Sequence, residues 1–295
     1  MRTLQEHLSA SPQSDLYHYT TIAGFLGIVD SMMFWATDIY YMNDTKELVY
    51  AGDIVNEVVE DALRGHKHST EIAGIFRGGI YNSQYANIFS ISFTESRDLL
   101  SQWRGYGGDS GMAVCFAPAK LSRIAECNHM RLVKCIYDRE QQVQIITELC
   151  ERHIAEVTAA IEGGSRFSPE EAARSFFRDL CDIGPILKHP SFKDEGEWRM
   201  LSESYDMVYN GNLPWDRMGF RAGRSTIIPY LKVQLSVDYK NDDRDLRQDL
   251  GFHDVLIGPS AVAELPWRAV MAYLTARNVR YNQITPSGVP LRGSV

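Results

Sequence analysis

An α+β fold is predicted for this chain by two patterns. Short strand-like runs cluster at 16–20, 33–37 and 87–94, the first and last of them alternating in face, without the one-helix-per-strand rhythm of a βαβ repeat. Two helical stretches in the middle of the chain, 141–162 and 168–183, follow one another with no strand between them.

The elements follow in order. Residues 1–14 are polar, carry Ser11-Pro12 and read as an N-terminal extension. Leu16-Tyr-His-Tyr-Thr20 reads as a strand. Thr21 then caps a helix whose apolar residues, Ile22, Phe25, Leu26 and Val29, recur at helical spacing. Met33–Thr37 is a second strand. Asn43 or Asp44 with Glu47 has capping-box character and opens a helix to about Leu63. A solvated turn at 64–70 and a further helical or irregular piece lead to Tyr85. In Asn87–Thr94 the alternation puts Ser90, Ser92 and Thr94 on one face and Phe89, Ile91 and Phe93 on the other. Arg97–Tyr106 reads as a short helix or turn, and Ser110–Phe116 and Arg131–Tyr137 as strands. Gly163-Gly164 ends the first long helix, and Ser168-Pro-Glu-Glu171 caps the second. Glu197–Leu201, Ser225–Val237 and Asp254–Gly258 carry further strands, Ala263–Arg277 a last helix and Val279–Ile284 a last strand.

Composition narrows the class. The 295 residues are 44% hydrophobic and 23% charged, with mean hydropathy −0.25, as in an ordinary globular protein. A net charge of −8 argues against a general nucleic-acid coat, although Arg217, Arg221, Arg224 and Lys232 offer a local basic surface. No run is long and apolar enough for a membrane span and the N-terminus lacks a signal-peptide core, so a cytoplasmic protein with no membrane partner is expected. The five cysteines are odd in number and form no Cys-x-x-Cys pair, which argues against a disulfide framework or a zinc ribbon, and no metal is expected. Cys115 reads as a buried strand residue rather than a nucleophile, since no histidine sits in a supporting motif nearby. Nucleotide-binding glycine motifs, His-Glu-x-x-His and Gly-x-Ser-x-Gly are absent, which demotes dehydrogenases, P-loop NTPases, zincins and α/β-hydrolases.

Several clusters carry possible chemistry, each with a plainer alternative. His18 and Thr20 share one face of their strand, suited to ribose hydroxyls or an amide. A lone strand histidine is more often a core residue satisfied by a carbonyl. Ser90-x-Ser92-x-Thr94 is either a polar floor that orients a ligand or an exposed sheet face. Glu195 and Glu197 share a face if Lys193–Arg199 is extended; otherwise that charge run is a solvated loop. Arg199 suits a carboxylate or phosphate. Gln102-Trp-Arg-Gly-Tyr106 either covers a ligand or is a turn with a packed tryptophan.

Taken together, Leu16-Tyr-His-Tyr-Thr20, Phe34-Trp-Ala-Thr37, Asn43-Asp-x-x-Glu47, Phe89-Ser-Ile-Ser-Phe93, Trp103-x-x-Tyr106, Gly111, Glu195-x-Glu-Trp-Arg199, Ile257-Gly-Pro259 and Pro286–Arg292 resemble a large, poorly characterised bacterial family over about 15–292. Their order is similar to that of the ADP-ribosyltransferase superfamily. That resemblance implies one catalytic domain, a split antiparallel sheet with flanking helices and a helical insertion at about 141–183. It implies NAD as substrate, a macromolecular acceptor (nucleic acid or protein), a toxin or phage-defence role and an antitoxin or other regulatory partner. His18 and Thr20 would bind the nicotinamide ribose, and Tyr40 or Tyr41 would stack on the nicotinamide. Ser90 and Ser92 would orient Glu197, the catalytic glutamate, with Glu195 as its Glu-x-Glu companion. Tyr19, Trp35, Trp103, Tyr106 and Arg199 complete the expected NAD-binding set. The alternatives are a Mg²⁺-dependent nucleic-acid enzyme built on Asp44, Glu47, Glu195 and Glu197, and a non-catalytic module that binds a nucleotide or a partner.

Overall fold

The computed structural model describes residues 7–42, 47–83, 85–108, 110–163, 168–206, 213–223, 225–236, 247–260 and 264–290. Its first half runs β1 (Leu16–Thr21), α1 (Ile22–Ser31), β2 (Met33–Asp38), α2 (Glu47–Ala62), α3 (Ser69–Ser83), β3 (Ala86–Asn87), β4 (Phe89–Thr94), β5 (Gly111–Phe116), α4 (Pro118–Cys127) and β6 (Arg131–Lys134). Then come α5 (Arg139–Glu162), α6 (Pro169–Ile183), β7 (Glu197–Leu201), β8 (Tyr205–Asp206), β9 (Met218–Ala222), β10 (Ile227–Gln234), β11 (Phe252–Ile257), α7 (Glu264–Ala276) and β12 (Gln283–Pro286).

Ten of these strands make one sheet, in which β12-β11-β5-β1-β4-β2-β10-β9 are neighbours in that order and β7 and β6 extend from β4. The small strands β3 and β8 pair separately. The sheet is mixed rather than purely antiparallel as expected, because β12 runs parallel to β11. A parallel neighbour needs a crossover connection, and α7 supplies it.

The sheet is not evenly joined. β1 pairs with β5 along its whole length but meets β4 only at Tyr17 opposite Thr94. β2 meets the same edge of β4 only at Thr37–Ser90 and Asp38–Phe89. The other edge of β4 is fully paired with β7 from Ser90 to Thr94. A gap therefore opens beside Ile91, Ser92 and Phe93.

Two cores hold the halves. Phe89, Ile91 and Phe93, the apolar face the alternation predicts, join Phe34, Phe116 and the buried faces of α1, α4 and α7. Helices α2, α3, α5 and α6 share a second core with Ile88, Val133 and Leu201. The 141–183 helices are thus continuous with the earlier helical layer. The N-terminal segment also docks, since the His7 ring bonds the Lys134 carbonyl at 2.7 Å.

Two further expectations change. The strand expected at Val279–Ile284 forms only at Gln283–Pro286. Asn278 turns left-handed at φ 54° and the Val279 amide caps the Leu274 carbonyl, so these residues end α7 instead. The strand expected over Arg131–Tyr137 stops at Lys134, where the chain turns to bridge Ile136 to Leu187.

Candidate functional site at the split in the sheet

Where β1 leaves β4, the Ser92 carbonyl has no strand partner on that side. The His18 ring fills that role: Nδ1 donates to the Ser92 carbonyl at 2.9 Å. This fixes the proton on Nδ1 and leaves Nε2 as an acceptor. Burial lowers the His18 pKa, so the ring is neutral. Phe34 and Phe93 pack on it edge-on or tilted, at 4.8 and 5.7 Å between ring centres.

The gap opens into a cavity of about 510 Å³, within the roughly 300–1,000 Å³ usual for small-ligand sites. His18, Tyr19 and Thr20 line it from β1, and Ser90 and Ser92 from β4. Glu195, Glu197, Trp35, Tyr41 and Tyr106 complete the expected residues on its wall. Trp103 and Arg199 lie outside that wall. The Ser90 and Ser92 hydroxyls are buried and have no hydrogen-bond partner, although nearly all buried polar groups do. They are unpaired polar groups in the cavity wall.

Glu197, only 3% exposed, is the electrostatic centre. Burial alone pushes a carboxyl up, but Arg199 and Lys188 overcome it and hold Glu197 at about 2. Arg199 grips it with two bonds, Nε to Oε1 and Nη2 to Oε2, both 3.0 Å. Arg199 also donates to the Pro185 carbonyl at 2.6 Å, so its guanidinium positions Glu197 from behind. Lys188 donates to Oε2 of Glu197 and to Oε2 of Glu195, each at 2.6 Å. The Cys135 thiol also faces Oε2, at 3.7 Å. Glu197 reaches the cavity wall from this cluster. Burial, then the negative charge of Glu197, pushes the Tyr106 hydroxyl up to about 12, so it stays a donor.

The cations that hold Glu195 and Glu197 weigh against the Mg²⁺ alternative, because Lys188 and Arg199 repel a divalent ion placed between these carboxylates. Asn43 and Asp44 lie outside the described residues, as does the side chain of Glu47.

Tyr40 and Tyr41 separate cleanly. The Tyr40 hydroxyl is tied to the Ser83 carbonyl at 2.6 Å, while Tyr41 lines the cavity and is exposed. Trp35 also lines the wall, stacked on Tyr230 at 4.5 Å. Trp103 is buried edge-on against Tyr19 and bonds Asp98 at 2.7 Å. The Tyr19 hydroxyl in turn ties down the strap that leads to Trp103 and Tyr106, donating to the Arg97 carbonyl at 2.7 Å and accepting from Leu99 N at 3.2 Å. Tyr19→Phe is expected to cost about 1–3 kcal/mol, because the Leu99 amide loses its partner; chemical denaturation measures it.

Lys188 and Arg221 are the charged residues whose place at the site the sequence did not signal. Lys188 sits in an unremarkable Leu-Lys-His-Pro stretch. Arg221 entered only as part of a basic surface; it lines the cavity and donates to Thr37 Oγ1 at 3.2 Å. Arg217 instead bonds the Asn128 carbonyl, and Arg224 lies outside the described residues. On the wall formed by α1, Gly24 has no room for a Cβ, which would meet Thr20 Oγ1 at 2.1 Å, whereas a Cβ on Gly27 would meet nothing within 4 Å. Cys115 is buried, and burial above all pushes its thiol up to about 12, which leaves it a poor nucleophile.

Fold and site together define a mixed α/β protein with a largely apolar cavity, edged by Glu195 and Glu197, at a break in its sheet. A family model described as "Protein of unknown function (DUF2971)" matches residues 102–200, about a third of the chain. That stretch includes Tyr106, Lys188, Glu195, Glu197 and Arg199 but stops short of β1 and β4. No curated protein and no solved structure matches the chain. No helix among the described residues is long and apolar enough to cross a membrane.

Proposed function

We propose that the chain is an ADP-ribosyltransferase-like enzyme that takes NAD as substrate and passes ADP-ribose to a macromolecular acceptor. One observation carries this reading. A single cavity gathers His18, Thr20, Ser90, Ser92 and Glu197, and its two serine hydroxyls are buried without partners.

The chemistry suits these groups. The bond from ribose C1′ to the nicotinamide nitrogen breaks, and nicotinamide leaves with the electron pair. Positive charge then develops on the ribose, and a fixed anion beside it lowers the barrier. Glu197 is ionised at any physiological pH and accepts from the ribose 2′-hydroxyl at the cavity wall. It holds the sugar and does not act as a base. His18 Nε2 accepts from a second hydroxyl or an amide, Ser90 and Ser92 donate, and Tyr41 offers a ring face. Arg221 suits the pyrophosphate. An acceptor nucleophile attacks C1′ and gives up its proton. The exposed Trp35 and Tyr41 at the cavity suit a large acceptor more than a small one.

The test is direct: the purified chain is incubated with NAD and a cell extract, and nicotinamide release and labelling are followed. Release with labelling supports the reading; an NAD pool left untouched, with no thermal shift on adding NAD, sinks it. Gly27→Leu separates site from scaffold. Its Cβ meets nothing within 4 Å, its branched end takes up cavity space, and it removes a mid-helix glycine worth up to about 1 kcal/mol. The melting temperature is expected to hold or rise while the NAD-induced shift disappears.

A further inference from the structure

One group of side chains outside the cavity has no part in this chemistry. Asp15 immediately precedes β1, Cys115 lies on β5 and His253 on β11, and β5 runs between the other two. Across this strip Phe252 faces Phe116 and Asp254 faces Cys115, so two steps on β11 match one on β5. His253 is the extra residue of that β-bulge. Bulges re-aim side chains, and this one brings Nε2 of His253 to 3.5 Å from Cys115 Sγ and 3.2 Å from Asp15 Oδ2. The three donor atoms lie within 4.8 Å of one another.

Hydrogen bonds also link this group, since the Cys115 thiol meets Tyr17 and Asp15 as well as His253. A ring nitrogen carries either a proton or a lone pair, so Nε2 cannot accept from the thiol and donate to the carboxylate together. It donates to Asp15 Oδ2, and its contact with the thiol then adds little. A shared cation serves all three atoms at once.

We propose that Asp15, Cys115 and His253 bind a thiophilic divalent cation of the Zn²⁺ type. Thiolate sulfur, imidazole nitrogen and carboxylate oxygen are the donors such an ion takes. Bond lengths of about 2.0 Å to nitrogen and oxygen and about 2.3 Å to sulfur put tetrahedral neighbours about 3.3 Å apart for N and O and about 3.5 Å for N and S. The separations of 3.2 Å and 3.5 Å match these. Hard Mg²⁺ and Ca²⁺ prefer all-oxygen sets and fit worse. The side chains of Asp15 and His253 are 42% and 27% exposed, which gives an ion a path in from solvent. With three protein donors the fourth position falls to water, so the site is open rather than sealed.

Cobalt tests it without any assumption about catalysis. The full chain is stripped with chelator, dialysed and titrated with Co²⁺ alone. One equivalent is expected to give a near-ultraviolet sulfur-to-cobalt charge-transfer band, which Zn²⁺ then erases. Cys115→Ser is expected to remove the band, and Cys127→Ser, at the exposed cysteine, to keep it. Asp15→Asn and His253→Ala change partly exposed side chains and keep the fold. Each is expected to weaken binding at least about tenfold, since even indirect metal contacts are worth that much. A wild-type chain that shows no band, a band that survives Cys115→Ser, or an affinity unchanged in Asp15→Asn and His253→Ala overturns the proposal.

Discussion

Glu197→Gln is expected to lower NAD turnover by about 10²–10³-fold, the usual cost of removing one preorganised electrostatic group from a transition state. The substitution preserves size and shape but leaves no anion beside the ribose. Binding is expected to fall far less, because His18, Ser90, Ser92 and Arg221 are untouched; a thermal shift with NAD against single-turnover nicotinamide release separates the two. The same change strips Arg199 and Lys188 of their shared buried partner, so the melting temperature also falls. Glu195→Gln is the control for that loss. Glu195 touches the same lysine but is more exposed, at 19% against 4%, and its loss leaves the Glu197–Arg199 pair intact. Turnover retained in Glu197→Gln at a temperature where it is folded would remove Glu197 from the chemistry.

Lys188→Met is expected to be the most destabilising single change at the site, at about 3–5 kcal/mol, the usual cost of removing one partner from a buried ion pair. It leaves Glu195 and Glu197 facing each other with only Arg199 to offset them. The pH dependence has a definite sign. Glu197 is held at about 2, below its ordinary 4.5, so its contribution to stability is complete above about pH 4.5 and is lost as the pH falls toward 2. Without Lys188 its pKa rises, and acid unfolding begins at higher pH. Tryptophan fluorescence followed during acid titration of both proteins measures the shift, and an unchanged acid midpoint would show that Arg199 alone sets the charge.

Much of this fold was legible because its period is clean. The alternation in Phe89–Thr94 sorts three apolar side chains into the core and Ser90 and Ser92 onto the cavity wall. Ser168 caps α6 through Glu171 as its sequence spells out. Helix α4 escaped notice because its cap is Ala117, which makes no side-chain bond, so only Pro118 marks the start. The site was half legible. His18 and Glu197 stand on strands whose patterns are readable, but Lys188 reaches Glu197 through a turn that no periodicity announces. Trp103 and Arg199 look like ligand contacts in sequence and serve as supports in space. The pairing of Cys115 with His253 spans 138 residues and depends on a bulge, so no local motif encodes it.

The bond from His18 to the Ser92 carbonyl has a bearing on how this protein tolerates change. The imidazole does there what a neighbouring strand does elsewhere: it supplies the missing N–H and closes the ladder. A substitution without a donor at position 18 leaves a buried carbonyl bare whether or not a ligand ever enters, and lost activity in such a variant reports scaffold and chemistry together. Selection for folding alone is enough to keep a histidine here. Glu197 is anchored in the same way, through Lys188 and Arg199, so folding alone constrains both positions.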